Sequence, residues 1–174
     1  MSDSTSQPIA DPPPPTPVLD ILTEADLSYL QSQYNEQQMV DYAKQFGSVL
    51  YPNAAPWADF LIKYFFQPPL PQPPDKSSLG AREREILLIG LLSAKFQGTG
   101  AFFGIHLYWG LMTGLSVREV ADALMLSSMY SGINVNNAAL GTFAALLKLL
   151  KGVCTPPQKA DAVTVALAIL QQIK

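Results

Sequence analysis

The chain has 174 residues, 48% of them apolar and only 14% charged, with a formal net charge of −3. That is one domain with enough apolar material for a buried core, and the scarcity of charge, against about 25% in an ordinary soluble protein, points to surface hidden by oligomerisation. No Lys/Arg cluster is present, which disfavours a nucleic-acid-binding surface. The single cysteine, Cys154, excludes an internal disulfide, a CxxC redox pair and a cysteine-based zinc site.

Met1 to Pro17 is a Ser/Asp/Gln/Thr/Pro tract with Pro12 to Pro15 consecutive, a composition that supports neither helix nor strand ladder. No basic region followed by an apolar run opens the chain, so no signal peptide is expected and the expected location is cytoplasmic. Helical signals begin at Leu22. Thr23 is the expected N-cap, with Glu24 and Asp26 in the first turn, of a helix reaching about Tyr34. Met39 to Phe46, ending near Gly47, reads as a second helix. Pro56 opens a third over Trp57 to Phe66. Gln67 to Asp75 holds five prolines and must be a linker.

Ser77 or Ser78 is the expected cap of a long helix from Leu79 to about Phe96, charged in its first turns and then apolar nearly all round, hence expected to be buried on every side. After Gly98 and Gly100 comes a helix over Ala101 to Thr113, with Gly114 at its C-terminal cap. Ser116 with Glu119 three residues on forms a capping box for a helix reaching about Tyr130. Gly132 and Asn134 mark a turn. Val135 to Leu150 is the next helix, and Pro156 and Pro157 open the last. The expected organisation is a proline-rich tail (1–18), an N-terminal helical extension (19–67), a proline-rich linker (68–77) and a helical domain (78–174). The expected fold class is all-α, with about seven to eight helices. Phe96 to Val117 and Ala123 to Leu147 carry no charged residue and are long enough to span a bilayer. Ser127, Ser128, Asn134, Asn136 and Asn137 fall where a bilayer penalises them most, so buried helices of a soluble oligomer are the expected reading.

The informative block is Arg82 to Leu140, REREILLIGLLSAKFQGTGAFFGIHLYWGLMTGLSVREVADALMLSSMYSGINVNNAAL. It orders an R-E-R-E-apolar helix, a glycine break and a helix with a central histidine. A Gly-Leu-Ser-x-x-Glu capping box, an apolar helix ending in Tyr-x-Gly and an Ala-rich helix follow. His106 is the only histidine of the chain. A lone histidine in an aromatic helix is either a hydrogen-bonded core residue or a proton donor in an apolar pocket; with no second His or Cys near, it is a poor metal ligand.

The order and spacing of these elements resemble the carboxymuconolactone decarboxylase and alkylhydroperoxidase D-like family. The resemblance implies an all-helical bundle that forms homo-oligomers, trimers or hexamers, and a small-molecule substrate. In the peroxidase branch a CxxC pair stands seven and four residues before the family histidine; here those positions are Thr99 and Phe102, so thiol peroxidase chemistry is not expected. Gly132-Ile133-Asn134 replaces the Gly-x-Pro that follows the Tyr-x-Gly turn in many members. The decarboxylase branch uses no metal and no organic cofactor. The resemblance then implies a small lactone acid or carboxylate as substrate and His106 as general acid/base, with Glu85 as its catalytic partner. A carboxylate beside Leu88, Ile89 and Leu92 favours its protonated form and can relay a proton. Phe102, Phe103, Trp109 and Gly110 lie at helical spacing around His106 and are the expected apolar wall, with Tyr130 and Asn134 as polar groups entering at the next helix end.

Plainer roles stay open for several of these. Glu85 can pair with Arg82 at a helix start. Tyr130 can be a core aromatic, and Asn134, Asn136 and Asn137 turn and cap residues. Glu119 is better explained by its capping box than by catalysis, and Lys95 by extending from its apolar helix to water. An alternative is a non-catalytic oligomeric binding or scaffold protein of the same fold.

Overall fold

The computed structural model of the chain describes residues 17–41, 79–155 and 161–174. The helix expected over Trp57 to Phe66, most of the one expected over Met39 to Phe46, the proline tract before Pro17, the Gln67–Asp75 linker and the Pro156–Pro157 opening lie outside them. Among the described residues every regular element is helical. A single 3-10 turn, Val18–Asp20, precedes α1 (Glu24–Gln33), and a short helical stretch follows at 36–41. Then come α2 (Ala81–Lys95), α3 (Ala101–Met112), α4 (Val117–Ser131), α5 (Ile133–Val153) and α6 (Ala162–Gln172).

α3 is the axis of the fold. It carries no charged residue and packs against α1, α2, α4, α5 and α6. A helix apolar on all sides is stable only when covered on all sides; Phe103, Leu107, Tyr108 and Leu111 are fully buried. α5 and α6 close the opposite wall through Phe143, Leu146, Leu150, Val165 and Ile169, and Leu22, Leu30 and Met39 of the N-terminal segment join the same core. Among the described residues only α5 is long and apolar enough to cross a membrane. Its Ala139, Phe143, Leu146, Leu147 and Leu150 are buried in this core.

The caps explain where helices begin and end. Thr23 and Asp26 form a reciprocal capping box on α1, and Ser116 and Glu119 form the expected one on α4. α3 ends in a Schellman turn, with the Leu115 N–H donating to Gly110 O and the Gly114 N–H to Leu111 O. α2 begins at Ala81 behind Gly80 as its N-cap, two residues later than expected, and Ser77 and Ser78 lie outside the described residues. α5 begins at once after Gly132, and Asn134 lies in its first turn rather than in a loop. α6 is capped by Asp161, whose carboxylate accepts from the Thr164 N–H.

A second difference concerns α2. The expectation of a helix buried on every side applies to α2 and fails there, since Leu87 and Leu91 are exposed; α3 is the helix that is covered all round. α2 runs parallel to α4. Arg82 bonds Glu119 near their N-termini, and further along the hydroxyls of Ser93 and Ser127 both donate to Gly90 O at 2.8 Å, with 2.9 Å between them. No described element covers the outer side of this pair.

The α2–α3 connection is pinned to α5. Gln97 takes a positive φ of 52°, and the Gly98 N–H reaches back to Ser93 O at 2.7 Å. Thr142 Oγ1, buried in α5, donates to Gly98 O at 2.6 Å. A Cβ at Gly98 (φ +74°) would stand 2.3 Å from Ala139 N, a backbone atom that cannot yield. At Gly132 (φ +95°) the same atom would meet open space. Gly98→Ala is therefore expected to cost about 3 kcal/mol or more, and Gly132→Ala about 1 kcal/mol. Urea denaturation of the two variants checks the ratio; equal losses would contradict the backbone contact.

α1 is tied to the far end of α5 by charge. The Asp26 carboxylate accepts from the Lys151 ammonium and the Thr23 hydroxyl, which together hold its pKa at about 2. Because the folded value lies below the unfolded one, about 4, the stabilisation is complete above that range. It is lost as pH falls through about 2. Lys151 is half exposed, so the pair contributes about 1 kcal/mol or less. Asp26→Asn is expected to lower stability by that amount at neutral pH, with the gap to wild type closing on acidification below about pH 4. Parallel urea titrations at the two pH values measure it, and a gap independent of pH would refute an ionic contribution.

Candidate functional site

His106 sits at the centre of α3 and Glu85 in the second turn of α2. Their side chains meet, with His106 Nδ1 2.9 Å from Glu85 Oε2. Both are buried, at 2% and 5% exposure. A carboxylate this far from water requires a strong donor. An ionised carboxylate accepts only, so with Glu85 in that form the hydrogen of this bond is carried by Nδ1. Arg82, the other partner open to Glu85, turns instead to Glu119.

The approach of α2 to α3 that permits this contact depends on Gly110. A Cβ there would lie 2.8 Å from Ile89 Cδ1 and 3.0 Å from Leu115 Cδ1, both on fully buried side chains, and 3.8 Å from Glu85 Cβ. Gly110 therefore serves the pair as close-approach residue rather than as pocket wall.

Two aromatic edges frame the imidazole. The Phe102 ring is 4.9 Å away at 74° and the Trp109 ring 5.1 Å away at 88°, both T-shaped. Phe102 also meets Phe96 at 5.9 Å, and it remains 56% exposed. Of the other expected site residues, Phe103 is fully buried in the core. Tyr130 and Asn134 are exposed, Tyr130 at 95%, and neither is joined to His106 by a hydrogen bond or ring contact. Tyr130 and Asn134 therefore stand away from the rings around His106. The physical reason is the earlier start of α5, which carries Asn134 onto an exposed helical turn.

Sequence reasoning passed over Tyr34 and Tyr108. Their rings meet edge to face at 6.0 Å, and burial drives both hydroxyls well above the usual tyrosine range. The Glu36 and Glu85 charges push Tyr34 further, which places α1 within the electrostatic reach of the Glu85–His106 pair. Gln31 Nε2 donates to Leu111 O of α3 at 2.8 Å and ties the end of α1 to this region, a contact between residues 80 apart that has no local signature in the sequence. Asn136, read as a turn or cap residue, is buried in α5, and its Oδ1 has no partner among the described residues.

Cys154 stands apart from this cluster at the end of α5, its Sγ 3.8 Å from Asp26 O. Burial raises its thiol pKa, and the Asp26 charge adds to that. Thr99 and Phe102 hold no thiol; the Thr99 hydroxyl donates to Phe96 O. No group of three His, Cys, Asp or Glu side chains comes together among the described residues.

Compared with known proteins, the chain matches no family model, no curated protein and no solved structure.

Truncating one partner of a buried pair leaves the other uncompensated. His106→Ala is expected to cost about 3–5 kcal/mol. Glu85→Gln, whose amide oxygen still accepts from Nδ1, is expected to cost about half as much. Denaturant midpoints decide; a loss below about 1 kcal/mol for His106→Ala would show that the pair does not hold α2 to α3.

Proposed function

We propose that the protein is a cofactor-free carbon–carbon lyase of the carboxymuconolactone decarboxylase type, acting on a small unsaturated lactone acid with His106 as general acid/base. The observation that carries the reading is the buried 2.9 Å bond between His106 Nδ1 and Glu85, flanked by the Phe102 and Trp109 edges. The bond from ring to carboxylate breaks and its electron pair enters the conjugated lactone as an enolate while CO2 leaves. His106 then gives a ring proton to carbon, and a proton taken up from solvent restores it. Glu85 orients the ring, the part a carboxylate takes behind a catalytic histidine. The apolar surroundings favour spread charge over a localised carboxylate, which lowers the barrier to decarboxylation.

A non-catalytic oligomeric binding protein of the same fold is the second reading, and the near-complete burial of His106 favours it. A thiol peroxidase has the least support, since the Cys154 thiol is pushed toward its unreactive protonated form.

Turnover of an unsaturated lactone acid, followed by CO2 release, tests the first reading. His106→Ala is expected to lower kcat by about 100-fold or more and Glu85→Gln by about tenfold. A folded His106→Ala protein with wild-type turnover would remove the histidine from the chemistry. Because the chain has one histidine, its carbethoxylation is read directly by mass. Modification of the native protein is expected, whereas protection until the protein unfolds would decide for the second reading.

A further inference from the structure

A single side-chain layer separates part of the His106 imidazole from water. Glu85, on Nδ1, is itself buried, and Trp109 is half-buried. Phe102 differs from both. Its ring centroid lies 4.9 Å from that of the imidazole, yet the residue is 56% exposed. Most of the surface of a phenylalanine belongs to its ring, so this ring meets the imidazole on one side and water on the other. Its place in the fold leaves it free to turn. Phe102 is the second residue of α3, and the N-cap Gly100 offers the first turn no side-chain acceptor. First-turn N–H groups have no intrahelical partner, so an uncapped turn opens at low cost. The residues that follow lack this freedom, since Phe103 to Tyr108 are buried without interruption. The Phe102 ring is steadied by Phe96, the C-cap residue of α2, which meets it edge to face at 5.9 Å. Phe96 is itself 36% exposed.

We infer that Phe102 is the gate of the Glu85–His106 site, and that the opening it leaves sets the size of the molecule that reaches the imidazole. The inference rests on His106 as the reacting group and adds to it a residue that selects what enters. With the ring in place, Phe102 covers the imidazole. Rotation about its Cα–Cβ bond, toward the water it already faces, uncovers it. That movement breaks ring contacts with Phe96 and His106 and disturbs no buried side chain other than the histidine. An exposed side chain changes rotamer far faster than an enzyme turns over, so the gate does not limit the rate by its own motion. It limits the reaction by population, because the imidazole meets an outside molecule only in the open fraction. The passage is about as wide as the ring that leaves it. A flat, unsubstituted lactone acid passes, and an acid whose ring carries a bulky substituent is turned away. The apolar faces of Phe102 and Phe96 also strip water from whatever enters, which suits a site that works on a desolvated carboxylate.

The test reads access to the imidazole directly. The native full chain is treated with diethyl pyrocarbonate, and carbethoxylation of His106 is followed in time by peptide mass. Phe102→Ala is expected to react about tenfold faster than wild type or more. Phe96→Ala, which frees the Phe102 ring and leaves it over the histidine, is expected to react about threefold faster. Phe102→Leu, a smaller cover, is expected to fall between wild type and Phe102→Ala. Leu170→Ala, exposed on α6, is expected to react at the wild-type rate. Helical circular dichroism confirms that each variant is folded. A folded Phe102→Ala protein that reacts no faster than wild type would overturn the inference. So would equal acceleration by Leu170→Ala, which marks a general loosening. If Phe102→Ala fails to fold, Phe102→Leu and Phe96→Ala decide by the same comparison. In turnover, Phe102→Ala is expected to shift kcat/KM by about tenfold toward a lactone acid with a bulky ring substituent, relative to the unsubstituted acid. Faster carbethoxylation of Phe102→Ala in a protein that turns over no lactone acid would uphold the gate and remove the reaction proposed for His106. Turnover that depends on His106, with carbethoxylation indifferent to Phe102, would uphold the reaction and remove the gate.

Discussion

One hydrogen bond between two ionisable side chains sets the geometry of the molecule's centre. Glu85 and His106 come from consecutive helices and meet almost wholly out of water. Neither group is tolerated alone in such a place, so each fixes the position of the other. α2 must lie close enough to α3 for a short carboxylate arm to arrive, and Gly110 is the residue that leaves the room. The connection between the two helices is correspondingly rigid. It turns through a left-handed Gln97, seats Gly98 against the backbone of α5 and is bonded there by Thr142. Packing, turn chemistry and a buried polar pair thus specify the same arrangement.

The central place of α3 follows from its composition. A helix without a polar face can be stable only when neighbours supply cover on all sides, and α1, α2, α4, α5 and α6 do so. The consequence for His106 is that an imidazole at the middle of this helix is held among protein groups, among them a carboxylate from α2 and, from its own helix, one aromatic ring a turn before it and one a turn after.

Much of this was legible in the sequence, and the limits have physical causes. Thr23, Ser116 and Glu119 were readable as caps because the capping chemistry is local. The Schellman end at Gly114 was readable for the same reason. The all-helical class followed from apolar periodicity. The pairing of Glu85 with His106 rested on a resemblance rather than on spacing, because residues 21 apart on two helices carry no local signature. Tyr130 and Asn134 were assigned inward because the turn was read as reaching Asn134; the chain turns at Gly132 alone, and α5 carries Asn134 outward. The apolar surface of α2 misled in a different way. Apolar character says that a face will be covered, and it does not say whether the cover comes from the same chain.

The parallel course of α2 and α4 has an electrical consequence. Two helices side by side and pointing the same way add their macrodipoles instead of cancelling them, with both positive ends together. Side chains act on that field in both senses. Glu83 and Glu119 in the first turns and Lys95 in the last turn of α2 oppose it, while Arg82, Arg84 and Arg118 in the same first turns add to it. The acids and bases there largely offset one another, so the end where α2 and α4 begin keeps the polarity that its two backbones give it.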